Sequence, residues 1–405
     1  MVRTAKGDLV ALYFRRRKRL ALAQLRNGPG FFFLKGVHLK RRGWYVFVAC
    51  LIPSSRTSSR HCVRARHEVH PVKLSEFQFD LSEELVAQHP AARRDASRLF
   101  ALLRDRDEHL LFHDLPRFFG PGDLLVLNDT RVRPARLSGK RKTGGAFDVL
   151  LVRPKGGGVW EAMVGGRGKL REGEVLSFGA FEGSVRRARG AWEVEFPADA
   201  DIAAAGRMPL PPYIKRGRAG DPADAEDRER YQTVYAKTEG AIAAPTAGLH
   251  FTEAVLESIR ATGAGIAFVT LHVGVGTFKP VTAENVEDHR MDPEPFVVPA
   301  ETAAAISAAK RVTSVGTTVT RTLEAAWKDG AVRAGAGETA LFITPGFRFR
   351  AVHRLLTNFH LPGGTPLMLA CAFGGRERVL AAYAEAVRRK FMFFSYGDSM
   401  LIEPS

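Results

Sequence analysis

The apolar and polar positions of the chain follow two periods, and the changes between them mark its parts. From Tyr231 onward helix and strand patterns take turns. Thr252 is placed to cap a helix over 252–262: Glu253 suits its positive end, Val255, Leu256 and Ile259 share one apolar face, and Gly263 stops it. Residues 266–273 form a continuous β-branched and apolar run ended by Gly274, which predicts a buried strand. A helix near 301–309, a strand at 311–315, a helix at 318–327, a strand at 341–343 and helices at 366–373 and 377–389 follow. Upstream, Ser82 is placed to cap a short helix through Ala87 that Pro90 ends. Residues 99–103 and 109–112 predict paired strands, and 124–127 a buried strand ending in the turn Asn128-Asp129-Thr130.

Between these parts, Pro134 to Pro209 fits no amphipathic helix. Short apolar runs at 147–152, 159–164, 175–178 and 192–196 alternate with Gly-rich turns, as in a small β-barrel or sandwich. Residues 215–230 are charged, contain Gly and Pro, and predict a mobile connection. The expected fold class is therefore α/β: a layered α/β sandwich domain with an inserted small antiparallel β-barrel domain or β-sandwich. The expected boundaries are 72–133 and 210–405 for the discontinuous α/β domain and 134–209 for the barrel, with a basic extension at 1–71.

Charge changes the picture of the extension. Residues 1–70 carry +14 of the net +17, so the remainder is nearly neutral and any RNA contact there needs a local patch. The extension contains Arg/Lys blocks at 15–19 and 40–42, a Phe triplet and a Ser/Arg-rich stretch. It reads as a basic RNA arm, as a targeting segment without the required order of parts, or as a misplaced start. The last is preferred: Val72 is expected to be the initiator, and 1–71 translated upstream DNA without order. Three cysteines without paired spacing argue against a disulfide scaffold or a zinc site, and suit a cytoplasmic setting. No apolar run has membrane-spanning length, so no membrane contact is expected.

Candidate chemistry gathers at predicted strand and helix ends, where open α/β sheets bind ligands. His250 precedes a helix and His272 ends a strand; both suit acid–base work near neutrality, or else fix turns through backbone hydrogen bonds. His289 is a third candidate. His289, Asp292 and Glu294 mimic a metal site, but no further ligand is evident and no metal is expected. Gly316, Thr317 and Thr318 open a helix whose free N–H groups suit an anion, with Arg321 one turn in; alternatively Thr317 caps the helix and Arg321 pairs with Glu324. Asp129 and Arg131 follow a strand end, as ribose and phosphate ligands or as an Asx-turn. Phe359, Phe393, Phe394 and Tyr396 suit stacking or core packing, with Tyr396, beside Asp398, the better stacking candidate. Gly274 and Gly276 are half of a dinucleotide fingerprint and read as a tight turn. His360 lies in a loop before Pro362.

Several stretches are too long and unusual to match by chance: AAPTAGLHFT and TLHVGVGTFKPV around the two histidines, LSEFQFDLSEELVAQHPAARRDASRL, LVLNDTRVRPARL, GTTVTRTLE, LTNFHLP and FFSYGDSML. From about Val72 to the C-terminus the chain resembles the S-adenosylmethionine:tRNA ribosyltransferase-isomerase family of queuosine biosynthesis. The resemblance implies an α/β domain with an inserted β-barrel. It also implies transfer of the ribosyl part of S-adenosylmethionine to 7-aminomethyl-7-deazaguanine at the tRNA wobble position, rearrangement to epoxyqueuosine, and release of adenine and methionine. The expected partners are S-adenosylmethionine, as co-substrate and not a resident cofactor, and the tRNA anticodon arm; a monomer is expected. Catalytic candidates are His250, His272, His289 and Asp129. Substrate-binding candidates are Arg131, Thr246, Gly274, Gly276, Thr317, Thr318, Arg321, Glu324, Asn358, His360, Tyr396 and Asp398. Where this chain has Asp292 the family usually has a second histidine. An S-adenosylmethionine-dependent RNA methyltransferase and a non-catalytic RNA-binding protein are the rival readings; the first lacks its Gly-rich loop and strand-end acid, the second an aromatic RNA-binding signature.

Overall fold

The computed structural model describes residues 9–15, 39–41, 44–50 and 72–404, apart from 167, 189, 218–220, 275 and 277–280. Two compact units divide the chain, Met1–Val69 and His70–Ser405. In the first, Leu9–Arg15, Trp44–Cys50 and Leu39–Arg41 pair as an antiparallel sheet, order that the reading of 1–71 as unstructured did not anticipate. The rest of that reading lies outside the described residues.

The second unit is built on a nine-stranded mixed sheet. Its centre is four parallel strands in the order Gly265–Leu271, Asp123–Asn128, Arg311–Val315 and Arg354–Asn358. Glu294–Val298 and Gly335–Thr339 extend one side antiparallel. Ser399–Ile402, Arg98–Leu102 and Asp107–Leu111 complete the other. The centre is buried on both faces, which is why its strands read as unbroken apolar runs. Along Asp123–Asn128, Leu124 and Val126 join one core, with helices Gly316–Ala326, Thr365–Gly374 and Arg376–Arg388. Leu125 and Leu127 join the opposite core, with helix Glu253–Ala261. Because the four central strands are parallel, their carboxyl ends share one edge.

The expected barrel is present as a closed ring of six strands. Four come from the apolar runs: Ala146–Gly156, Val159–Gly166, Val175–Ser177 and Ala191–Glu195. Arg136–Lys140 and Glu182–Ala188 lack such a run because charged residues and serines take most of their outward positions. Arg136 and Arg207 exchange backbone hydrogen bonds of 3.1 and 2.8 Å, joining the two ends of the insertion.

Several expectations are corrected. The mobile connection expected over 215–230 is corrected at its described residues: Ala223–Arg230 is a helix. Arg216 donates to both oxygens of buried Asp227, at 2.6 and 2.9 Å, so the charges that suggested mobility pin the segment. The helix capped by Ser82 is one 3₁₀ turn, Glu83–Leu85, without a side-chain cap, because Val86 leaves it to bridge to Phe393. The strand expected at 341–343 lies at Gly335–Thr339; Thr339 Oγ1 accepts from the Leu341 N–H and turns the chain before the apolar run. Strands Glu294–Val298, Arg354–Asn358 and Ser399–Ile402 were not anticipated.

Asp123 anchors the amino edge of the sheet. It accepts two 2.8 Å hydrogen bonds from Arg311 and lies 3.5 Å from the guanidinium of buried Arg354. Burial opposes its ionisation, but the Arg311 hydrogen bonds and both guanidinium charges outweigh it and hold the carboxyl below its usual range. A depressed carboxyl contributes stability above its unfolded pKa and loses it as pH falls through the folded value. Asp123→Asn, which leaves Arg354 without its counter-charge, is therefore expected to cost about 3 kcal/mol in denaturant melts at pH 7. The difference from the parent narrows as pH falls below 4; a loss independent of pH would refute this assignment.

Candidate active site

The carboxyl edge of the four parallel strands collects residues from most of the motifs singled out in the sequence. It opens because the two strands preceding Asp129 and His272 separate there. Asn128 manages the separation with its side chain: Nδ2 donates to the Leu271 carbonyl at 3.0 Å, and Oδ1 accepts from the Leu271 N–H at 3.0 Å and the Thr130 N–H at 3.2 Å. The amide stands in for one peptide unit of the ladder, so the Leu271 N–H and carbonyl and the Thr130 N–H keep partners as the chains part. His272 and Thr130 then face each other, with Nδ1 and Oγ1 2.8 Å apart. Beside them Thr270 Oγ1 donates to Asp129 Oδ1 at 2.6 Å.

His272 is half-buried, and its ring lies against Gly240: a Cβ there would sit 2.6–2.7 Å from three ring atoms. Burial lowers its pKa, the Arg133 charge lowers it further, and Asp129 opposes. The imidazole is thus neutral at pH 7 and available to accept a proton. Arg133 is itself paired with Glu239 at 3.0 Å.

His250 lies in a different setting, at the end of the 3₁₀ turn Thr246–His250. It is 4% exposed and stacked on Phe112 at 5.1 Å. Nδ1 is 2.7 Å from Ser97 Oγ and Nε2 3.2 Å from Asn358 Nδ2. Asn358 Nδ2 donates also to the Phe394 carbonyl, and Ser97 Oγ to the Arg94 carbonyl, so the proton sits on Nδ1 of the ring. Both ring nitrogens are engaged, and burial followed by the Arg94 charge lowers the pKa to about 3. The arrangement suits positioning: His250 ties Ser97 to Asn358 across the edge. Arg94 clamps the same turn, donating to the Leu249 carbonyl at 3.1 Å.

Helix Gly316–Ala326 presents its N-terminus to this edge, with Thr317 and Thr318 in its first turn. Neither caps it. Arg321 does not pair with Glu324, the alternative considered above; it donates to Glu294 Oε2 at 2.5 Å and to the Leu341 and Thr339 carbonyls. Glu294 Oε1 accepts from the Gly274 N–H at 2.9 Å. The buried pair therefore ties the loop after His272 to the helix. Glu324 accepts from the N–H groups of Arg350, Ala351 and Val352, and burial raises its pKa despite them. Arg321 and Glu324 thus shape the edge from inside the fold.

The remaining candidates separate into two groups. Thr246 begins the 3₁₀ turn, Asn358 ends its strand, and both stand on the edge. Gly276 lies beside Asp292, whose carboxylate would be 3.0 Å from a Cβ there. Arg131 is exposed and donates to the Ala236 carbonyl. His289 packs edge-on against Phe342 at 5.1 Å, and burial lowers its pKa. The others turn inward. His360 Nε2 lies 2.7 Å from Thr357 Oγ1, and burial lowers its pKa to about 3. Tyr396 donates to Asp227 at 2.9 Å, and Asp398 accepts from the N–H groups of Arg98 and Met392. Phe359 and Phe393 are wholly buried in one aromatic cluster.

The sequence reading missed Ser97, Asn128, Thr130 and Tyr235. Three polar atoms around the edge are buried without a protein partner: Thr318 Oγ1, Asn358 Oδ1 and the Tyr235 hydroxyl. Gly248 makes room for the last, since a Cβ there would lie 2.1 Å from the oxygen. These atoms suit the polar groups of a bound substrate. Among the described residues no cluster of three or more His, Cys, Asp or Glu side chains is arranged for a metal, and no helix is long and apolar enough to cross a membrane.

His250 generates a pH prediction. Its folded pKa lies below the unfolded 6.5, so its contribution to stability is full above that value and is lost as pH falls towards 3. Denaturant melts from pH 7.5 to 4.5 are expected to show acid destabilisation that diminishes in His250→Gln, leaving the contributions of His360 and of the other histidines whose pKa burial lowers. An unchanged pH slope would refute the neutral, buried assignment.

The family model described as queuosine biosynthesis protein matches residues 74–402. The S-adenosylmethionine:tRNA ribosyltransferase-isomerase of Anaeromyxobacter sp. (strain Fw109-5) is 54% identical over 346 residues, covering 82% of this chain and 99% of its own. That of Citrifermentans bemidjiense is 49% identical over 343 residues, covering 81% and 99%. The crystal structure of S-adenosylmethionine tRNA ribosyltransferase from Thermotoga maritima is similar at 33% identity, over 81% of this chain and 99% of that one, with a TM-score of 0.46. With its motifs spread through the matched region, the chain belongs to the queuosine biosynthesis protein family.

Proposed function

We propose that the protein is an S-adenosylmethionine:tRNA ribosyltransferase-isomerase. It transfers the ribosyl part of S-adenosylmethionine to 7-aminomethyl-7-deazaguanine at the tRNA wobble position, isomerises it to the epoxycyclopentane-diol of epoxyqueuosine, and releases adenine and methionine. The observation that supports this most strongly is 54% identity with an enzyme of that name along 99% of its length. S-adenosylmethionine is consumed as a co-substrate. The protein works as a monomer in the cytoplasm, on the anticodon arm.

The carboxyl edge supports a division of roles. The reaction needs a base for the acidified hydrogen beside the sulfonium, donors for the departing adenine, and contacts for the methionine zwitterion. His272 is the base: it is neutral, half-buried and oriented by Thr130. Asp129, held by Thr270, faces the cationic substrate and stabilises the imidazolium that forms. The N-terminus of helix Gly316–Ala326 and the Thr318 hydroxyl take the methionine carboxylate. Asn358 Oδ1, held in place by His250, accepts from a substrate N–H or O–H. His250 is a positioning residue.

A chain beginning at Val72 tests the activity, with S-adenosylmethionine and tRNA carrying the modified base. Adenine in step with product, and an epoxyqueuosine mass in the tRNA, are expected. S-adenosylhomocysteine instead would make the protein a methyltransferase, and no small product a binding protein. A base with a lowered pKa also sets the pH profile. The kcat/KM is expected to be flat from pH 7 to 8 and to fall on the acid side below the 6.5 of free imidazole, with that limb absent in His272→Gln. An acid limb that persists in the variant would remove His272 from the role.

A further inference from the structure

We propose that one end of the barrel docks the sugar-phosphate backbone of the tRNA substrate; this rests on the function proposed above and assigns it a surface. Charge distribution is the first support. Residues 134–209 contain 13 Lys and Arg against 9 Asp and Glu, a balance of +4. Residues 71–133 and 210–405 together carry −1, so the barrel holds the whole basic surplus of the family-matched region. A polyanion approaching that region is steered to the insertion and not to the sheet.

The surplus is concentrated. Four acids of the barrel are spent on neighbouring cations: Arg136 pairs with Asp148, Arg141 with Glu174, Lys155 with Glu161 and Arg186 with Glu193. A groove of about 510 Å³ lies where strand Ala146–Gly156 begins and Val159–Gly166 ends. Lys169, Arg171 and Arg187 line it, all exposed, against the single acid Glu172. Trp192 forms part of the wall, with the Arg187 guanidinium 4.8 Å above its ring. An arginine placed over an indole face still has N–H donors for phosphate oxygens. Three exposed cations facing one carboxylate, beside an aromatic wall, form an electrostatic groove suited to a single-stranded or loop backbone.

The groove lies outside the proposed chemistry, so its loss should weaken RNA binding without slowing the chemical step. In Lys169→Ala/Arg171→Ala/Arg187→Ala, KM for tRNA is expected to rise at least tenfold, with kcat and KM for S-adenosylmethionine within twofold of the parent. The slope of log Kd for tRNA against log salt, read by fluorescence anisotropy, should fall by about 2, since each lost phosphate contact removes roughly 0.7–0.9. Charge reversal at the same positions should deepen the loss. Arg104→Ala/Arg260→Ala/Lys328→Ala, which removes three exposed charges from the α/β layer, should change neither quantity. Equal effects from the two triple variants, or an unchanged salt slope in the barrel variant, would overturn the proposal. The binding arm separates the two readings: if the parent protein releases no adenine the proposed function fails, while the anisotropy comparison still decides whether the barrel holds tRNA.

Discussion

The edge where the chemistry is placed depends on how two parallel strands are allowed to part. Backbone groups at a strand end must find partners, and a wide split between buried strands would orphan several. Asn128 resolves this with one side chain that completes the ladder to Leu271 in both directions. Each such bond contributes about 1 kcal/mol net, but leaving the groups unmade would cost more. The consequence is geometric: Asp129, Thr130 and His272 leave the sheet together, already hydrogen-bonded to the strands that deliver them. On the neighbouring strands Gly316 and Asn358 arrive at the same edge because all four run in one direction.

Several buried charges are paired within the fold, at the amino edge of the sheet as well as near its carboxyl edge. Arg354 has Asp123, Arg321 has Glu294 and Arg216 has Asp227. Such pairs contribute little net stability but are costly to break, which makes them good struts for loops that must hold one shape. The Arg321–Glu294 strut is the clearest case, joining the Gly274 loop to the helix whose N-terminus faces the site. The two histidines singled out in the sequence thereby acquire different characters. Full burial and two occupied nitrogens fix His250 as a neutral link, whereas half-burial leaves His272 able to change charge.

Much of this was legible in the chain. Helix Glu253–Ala261, the strands on either side of the site and the barrel's apolar runs all followed from local pattern, and Thr252 caps its helix by accepting from the Val255 N–H. What escaped was set by distant partners. The charged run 215–230 reads as solvent-facing until Arg216 and Tyr396 are seen to enclose Asp227. Arg321 and Glu324 are three residues apart on one helix, a spacing that suggests a pair, yet each is claimed by a strand or loop from elsewhere. Thr130, Ser97 and Tyr235 are ordinary residues by type; only the fold brings them to a histidine or a glycine turn. Of the proposed barrel surface, the sequence offered the need for a local basic patch but not its place.

The most direct test is single-turnover adenine release by His272→Gln and His250→Gln compared with the parent protein, with S-adenosylmethionine and tRNA both saturating. The account predicts that His272→Gln binds both substrates but releases adenine at least 100-fold more slowly, the usual scale for losing a general base. It predicts that His250→Gln, at a temperature where it stays folded, keeps a rate within tenfold of the parent. A full loss in His250→Gln with near-normal release by His272→Gln would contradict it and move the proton transfer to the buried histidine.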